Sequence, residues 1–313
     1  MSELLLELLK TPSPCGSEIS LSELIEKNTV QYCDKQYTDK LGNLIIRKAG
    51  NGKRIMLTAN IDEPAIAVNY IEDNGRLRFS YIGNTQQELL IGCRVIFQNG
   101  VSGFICADSK KAENARQMYV EIGCNSRQEA ENKISAGAFG VVYNKFVKLE
   151  NNKIVGSGMD NKAGILILVE VIKRLVSSNY DTYFVFTTQK NMSNKGIKAA
   201  VFDVEPEIAI TVEGVCENAE LSKGACIKVR DKGVICQSEI VDKLISVAKM
   251  KEIPYQLEAS ENISQAGEIY KSGSGVITCG VGYPVKKCSP ESEIVSLDDL
   301  QSAISLILSF LAM

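Results

Sequence analysis

The sequence predicts an α/β domain interrupted by a mostly-β insert, and three observations predict it. Apolar strands alternate with amphipathic helical stretches at both ends of the chain, the pattern of a sheet covered by helices. Between about Pro64 and Ile154 that texture gives way to short alternating runs punctuated by glycine, the pattern of a compact β domain. With 313 residues, 45% of them hydrophobic, the chain is long enough to bury one large core and a smaller one. The expected division is a discontinuous α/β domain at residues 1–63 and 155–313, with the insert at 64–154.

The elements follow in order. Residues 1–10 are Leu-rich but carry Glu3, Glu7 and Lys10 at helical spacing, which suits an amphipathic first helix better than a secretion signal with a basic start. Two prolines and Gly16 make 11–18 a loop, and a second helix runs through 20–27. Strands are expected at 44–48 and 54–59, the latter leading into Asn60-Ile-Asp-Glu63. Polar groups thus gather at a strand's carboxyl end, where open α/β sheets keep their sites. The insert reads as strands at 76–81, 95–97 and 118–122. Helices then alternate with strands: helices at 162–177, 195–202, 238–249 and 297–313, strands at 183–187, 208–212 and 276–281. The apolar stretch 163–172 is broken by Glu170 and is too short to span a bilayer. A soluble, cytoplasmic protein without a membrane partner is expected, and no internal repeat appears.

Composition excludes whole classes of chemistry. The formal net charge is −3, and Lys and Arg are scattered, so no basic stripe exists for a nucleic-acid backbone. Ten cysteines occur without a C-x-x-C pair, which points to small buried hydrophobes in a reducing compartment, Cys288 excepted. There is no histidine. Imidazole is the usual zinc ligand and the usual base near neutral pH, so Ser-His and Cys-His mechanisms and most zinc-hydrolase sites fall at once.

Several segments carry a resemblance: Pro12-Ser-Pro-Cys-Gly-Ser-Glu18, Gly42-Asn-Leu44, Ala59-Asn-Ile-Asp-Glu63, Glu121-Ile-Gly-Cys124 and Met159-Asp-Asn-Lys-Ala-Gly164. Thr187-Thr-Gln189, Ile253-Pro-Tyr-Gln256, Ala266-Gly-Glu-Ile269 and Ser289-Pro-Glu291 follow. Their order and spacing resemble, nearly end to end, the glutamyl aminopeptidases, deblocking aminopeptidases and so-called endoglucanase M proteins. That resemblance implies a zinc-exopeptidase-like three-layer α/β/α sandwich, a barrel-like dimerisation insert and a shell of up to twelve subunits. It also implies two zinc ions bridged by a carboxylate, with a glutamate as general base.

Carried over position by position, the implied site is depleted. The first histidine ligand is Asn60, and the carboxylate that steadies it is kept as Asp62. The bridging aspartate is Asp160, although the arginine two residues on has become Lys162. The general base and the adjacent ligand are Lys190 and Asn191, the next aspartate is Glu213, and the last histidine is Cys288. The aspartate of the substrate-facing loop is Gln265. Amides are weak zinc donors, and an ammonium at the base position opposes metal binding. The ammonium of Lys190 is expected to occupy roughly the old metal position, paired with Asp160 or Glu213.

Each residue also has an ordinary reading when taken alone. Asp160-Asn161 before a helix is an N-cap, Asn60–Glu63 a strand exit, and 190–194 a solvated loop. Cys288 with Asp160 and Glu213 could instead form a three-ligand site. The expected function is an aminopeptidase-family protein that has lost catalysis, with no cofactor, binding a peptide or small molecule or co-assembling with an active paralogue. The alternative is an active metallo-aminopeptidase using a single zinc or other divalent ion. Glycoside hydrolysis ranks last, because nothing suggests a sugar cleft and the chain has no Trp.

Overall fold

The computed structural model describes residues 2–109, 112–143 and 145–313; the Met1 end of the first expected helix lies outside them. The chain opens with α1 (Ser2–Lys10) and α2 (Ile19–Thr29), then β1 (Lys35–Thr38), β2 (Leu44–Lys48) and β3 (Arg54–Asn60). Next come β4 (Ala65–Ile71), β5 (Leu77–Ile82), β6 (Arg94–Phe97), β7 (Ser102–Ala107), β8 (Met118–Glu121), the short α3 (Arg127–Glu131) and β9 (Phe139–Val142). The strands β10 (Val147–Lys148) and β11 (Lys153–Gly156) lead to α4 (Met159–Arg174), β12 (Asp181–Thr187), α5 (Lys195–Val204) and β13 (Ile208–Thr211). The remainder is β14 (Gly214–Val215), β15 (Ala225–Arg230), α6 (Ser238–Met250), β16 (Tyr255–Ala259), α7 (Ala266–Tyr270), β17 (Ile277–Pro284), β18 (Lys286–Ser289), β19 (Ser292–Ser296) and α8 (Leu297–Leu311).

The main sheet runs β1-β2-β12-β3-β13-β17-β15-β16, with β14 pairing β17. Strand side chains alternate between faces, and here the two faces feed different layers. Leu44, Ile46, Ile55, Leu57, Phe184 and Phe186 pack with α1, α2, α4, α6 and α8. Ile45, Met56, Val185 and Ala209 point the other way, onto Ile197, Ala200 and Val201 of α5 and Ile269 of α7. This is the three-layer α/β/α sandwich expected from the sequence. The helix α4 buries 13 of its residues, as a central helix must when it packs against sheet and helices at once. A side chain at Gly164 would put Cβ 2.9 Å from the Val212 carbonyl, so glycine there sets how close α4 lies to the sheet.

The six strands β4-β5-β8-β7-β6-β9 close into a barrel. Its alternation is plain in β7, where Gly103 and Ile105 are buried and Ser102 and Phe104 exposed. Val68, Phe79, Phe97, Ile105 and Val120 fill the interior. A third small sheet, β10-β11-β19-β18, was not anticipated from the sequence. Its central pair is antiparallel, Gly156 opposite Glu293, and so brings β18 and β19 beside the start of α4.

Expected boundaries moved most at α4, which begins at Met159 and ends at Arg174 rather than running 162–177. The edge strand β1 and the pair β15 and β16 were not anticipated. Lys35-Gln-Tyr-Thr38 has a burial pattern with no fully buried residue, so it lacks the apolar run by which a strand is recognised. Among the described residues no helix is long and apolar enough to cross a membrane.

Candidate functional site

Three parallel neighbours, β12, β3 and β13, end together. The residues that follow them, Thr188–Asn191, Ile61–Glu63 and Val212–Glu213, therefore converge on one cleft, next to the amino end of α4. This is the location open α/β sheets give their sites. The segment after β12 is held in an unusual backbone path: Gln189, Ser193 and Asn194 all have positive φ, at 52°, 67° and 55°. Such conformations cost energy outside glycine and cluster at functional sites.

Asp62 is what holds that segment. Its Oδ1 accepts the Lys190 N–H at 2.9 Å. Its Oδ2 accepts the Asn191 N–H and the Asn191 side-chain amide, both at 2.8 Å. Asp62 is 1% exposed, so these bonds satisfy a buried carboxylate. The expected role, steadying residue 60 through the carboxylate, is corrected here: Asn60 Nδ2 donates instead to the Asp62 backbone carbonyl, at 3.0 Å. Asn191 turns its amide toward Asp62, donating to its backbone carbonyl at 3.3 Å as well as to its carboxylate.

The cleft's charges are paired by two lysines. Lys190 Nζ lies 3.0 Å from Glu213 Oε2 and donates to Asn60 Oδ1 at 3.3 Å. Burial acts to lower the Lys190 pKa, but the charges of Glu213 and Asp160 outweigh it and hold the ammonium above its ordinary range. Asp160 has a different partner: Lys287 Nζ sits 2.6 Å from its Oδ2 and 3.4 Å from Glu293 Oε1. Burial pushes the Asp160 carboxyl up; the charge and hydrogen bond of Lys287, with the charge of Lys190, more than reverse this and leave it below its ordinary value. Glu293 accepts the Asp160 N–H at 3.0 Å. Its carboxyl is pushed up to about 7, by burial first and then by the neighbouring Asp160 charge.

Several expectations change in this geometry. Asp160 is not an N-cap: Gly158 holds that position at φ 69°, and Asp160 lies inside the first turn, where the helix dipole favours its charge. Cys288 does not join Asp160 and Glu213 in a three-ligand set. Among the described residues, one group of three metal-competent side chains has ligand atoms within 4.8 Å of one another, and it is Cys15, Glu18 and Asp62. Cys288 is exposed, its Sγ 4.0 Å from the Lys286 carbonyl. Lys287 pairs with Glu293 across β18 and β19, and Glu293 pairs with Gly156 across β19 and β11, which brings Lys287 beside Asp160. Gln265 does not face substrate. It is fully buried, with Nε2 donating to Thr187 Oγ1 at 2.7 Å and its N–H to Glu213 Oε1 at 3.1 Å.

Sequence reasoning missed Lys287 and Glu293. The signal was present in Lys286-Lys287: adjacent residues of a strand point to opposite faces, so the two lysines meet different surroundings.

The donors here do not fit a di-zinc centre. Two implied ligand positions carry amides, and both retained carboxylates are already neutralised by tethered ammonium groups, where zinc needs imidazole, thiolate or free carboxylate. The Cys15, Glu18 and Asp62 group is otherwise engaged. Glu18 Oε1 accepts the N–H groups of Gly16 and Gln189 at 2.9 and 3.1 Å. Burial, and then the charges of Asp62 and Glu18, push the Cys15 thiol far up, so it stays protonated. The group knits the loop before α2 to the strand tips.

Behind the cleft lies a buried pair, Lys162 Nζ and Glu63 Oε1 at 2.8 Å, with side chains 2% and 5% exposed. Glu63 also shapes Gly158, where an added Cβ would come 2.5 Å from Glu63 Oε2. Gly158→Ala is expected to cost at least ~1–2 kcal/mol from the left-handed conformation alone, read as a lowered midpoint in urea unfolding. An unchanged midpoint would show that the α4 start relaxes freely.

A family model, M42 glutamyl aminopeptidase, matches residues 42–306. The chain belongs to the M42 glutamyl aminopeptidase family. A candidate aminopeptidase of Acetivibrio thermocellus is 34% identical over 306 residues, covering 93% of this chain and 92% of that protein. The lysyl aminopeptidase of Pyrococcus furiosus is 25% identical and covers 97% and 94%. Among solved structures, an aminopeptidase of Desulfurococcus kamchatkensis superposes with a TM-score of 0.94 at 26% identity, covering 99% of this chain and 93% of that one. A TET peptidase of Pyrococcus horikoshii, described as assembling into a tetrahedron or a large octahedral shell, gives 0.92 at 25% identity and covers 99% of each chain. The M42 fold is thus kept end to end.

Proposed function

We propose that this M42 protein has given up metal-dependent peptide hydrolysis and keeps the aminopeptidase cleft as a binding site. One observation carries the reading: two ammonium groups, Lys190 at 3.0 Å from Glu213 and Lys287 at 2.6 Å from Asp160, sit on the two carboxylates that a zinc pair would need. A hydrolase must generate a nucleophile at neutral pH, and zinc does so by acidifying its bound water. Lys190 occupies the general-base position, yet its ammonium is held charged and has no lone pair with which to accept a proton.

The same reading has the protein work without a cofactor, in the cytoplasm, as a homo-oligomer of up to twelve subunits or in a shell shared with an active relative. The shell described for the P. horikoshii peptidase supports the assembly, and light scattering on the purified protein tests it.

Catalysis is tested by incubating the protein with aminoacyl p-nitroanilides in zinc, cobalt or manganese while bound metal is counted by elemental analysis. The expected outcome is background turnover and less than one metal per chain. Turnover that disappears in Asp160→Asn would refute the reading and establish an active enzyme with a reduced metal site.

A further inference from the structure

Between the barrel and the amino end of α4 lies a cavity of about 250 Å³. Its lining mixes apolar residues, among them Pro64, Leu89 and Val142, with polar ones, among them Glu63, Asn84 and Thr85. Its floor is the Asp160–Lys287 pair, backed by Glu293. Neither member of the pair is sealed off. The Lys287 side chain is 46% exposed and that of Asp160 33%, and Leu89 leaves half its surface open at 51%.

We propose that this cavity binds a free apolar α-amino acid in its zwitterionic form. The assignment deepens the reading above and rests on it, because zinc on Asp160 would displace Lys287 from the floor.

Charge complementarity selects the ligand. A cationic amine can satisfy Asp160 only by approaching Lys287, and a carboxylate can satisfy Lys287 only by approaching Asp160 and Glu293. A molecule carrying both charges two bonds apart completes both partners together, with its ammonium on Asp160 and its carboxylate on Lys287, and adds no net charge to a half-buried place. The third proton of Lys287 remains for such a bond after those directed at Asp160 and Glu293. Size agrees. The volume falls below the range of pockets for drug-sized ligands, which leaves room for one amino acid whose aliphatic side chain covers Leu89 and Val142. Glu293 is already engaged, its Oε2 accepting the Asp160 N–H at 3.0 Å and its Oε1 lying 3.4 Å from Lys287 Nζ.

The test is calorimetric titration of the full-length, EDTA-treated protein with L-leucine, L-leucinamide and N-acetyl-L-leucine. Leucine is expected to bind one per chain, and loss of either charge to weaken binding at least about tenfold. In Lys287→Gln, leucine is expected to lose its advantage over leucinamide, while leucinamide binds at least as well as to the natural protein because the ammonium that repels its amine is gone from Asp160, a pattern that a general loss of structure would not give. Leucinamide binding as tightly as leucine, or no saturable leucine binding up to about 10 mM, would overturn the assignment. The p-nitroanilide assay on a portion of the protein not treated with EDTA, with zinc, cobalt or manganese added, reports separately on catalysis. Turnover with the leucine pattern intact would remove the non-catalytic reading and leave the ligand, whereas no turnover and no leucine binding would do the reverse.

Discussion

Lys162→Met is expected to lower the free energy of unfolding by about 3–5 kcal/mol, the cost of leaving one half of a buried ion pair uncompensated. The pair qualifies because both side chains are nearly sealed, at 2% and 5% exposure. Lys162 also donates to the Thr11 carbonyl at 3.1 Å. Glu63 Oε1 accepts the Ser13 N–H at 3.0 Å and the Ser13 hydroxyl at 3.1 Å. Three segments distant in sequence, the loop before α2, the exit of β3 and the start of α4, are therefore fastened at one point. Guanidinium unfolding should show a lower midpoint with an unchanged slope, the mark of a stability change without a change in compactness. Adding Glu63→Gln should recover part of the loss, because the amide oxygen still accepts from Ser13 while the stranded charge is gone. A loss under ~1 kcal/mol would mean that water reaches Glu63 and that the pair is worth no more than an exposed one.

The second large effect is a gain. A variant carrying Asn60→His, Lys190→Glu, Asn191→Glu, Lys287→Ala and Cys288→His is expected to take up zinc, because it removes both tethered cations and restores imidazole and carboxylate donors at the strand tips. Lys287 must be included. An ammonium 2.6 Å from Asp160 would otherwise remain on the carboxylate that bridges the metals in the resembled site. Metal that binds only the folded state stabilises it by mass action, about 4 kcal/mol at a thousandfold excess over Kd. The melting temperature of the variant should then rise with zinc and fall with EDTA, while that of the natural protein should respond to neither. A variant that folds but stays free of zinc would show that Glu213, one carbon longer than the implied aspartate, or the strained path through Gln189 has closed the geometry.

Much of this molecule could be read from the residues in order. Helix and strand periodicities separated the sandwich from the barrel, because side-chain period is a local property. The lack of histidine and the change of types at 60, 190 and 191 were likewise visible without coordinates. They were enough to expect a cleft unsuited to zinc, with Lys190 acting as an internal cation.

Which carboxylate each lysine serves was settled only by the tertiary structure. Lys287 and Asp160 lie 127 positions apart, and they meet because β11 pairs with β19 and β19 with β18. Gln265, placed toward substrate by its position in the chain, is buried because the carboxylate of Glu213 takes its N–H and Thr187 takes its amide. By itself the sequence determined the layers, the insert and the chemical character of the cleft, since these follow from residue type and spacing. The partners within the cleft depend on strand register and on which face a side chain takes, and those are set by long-range pairing that no local pattern encodes.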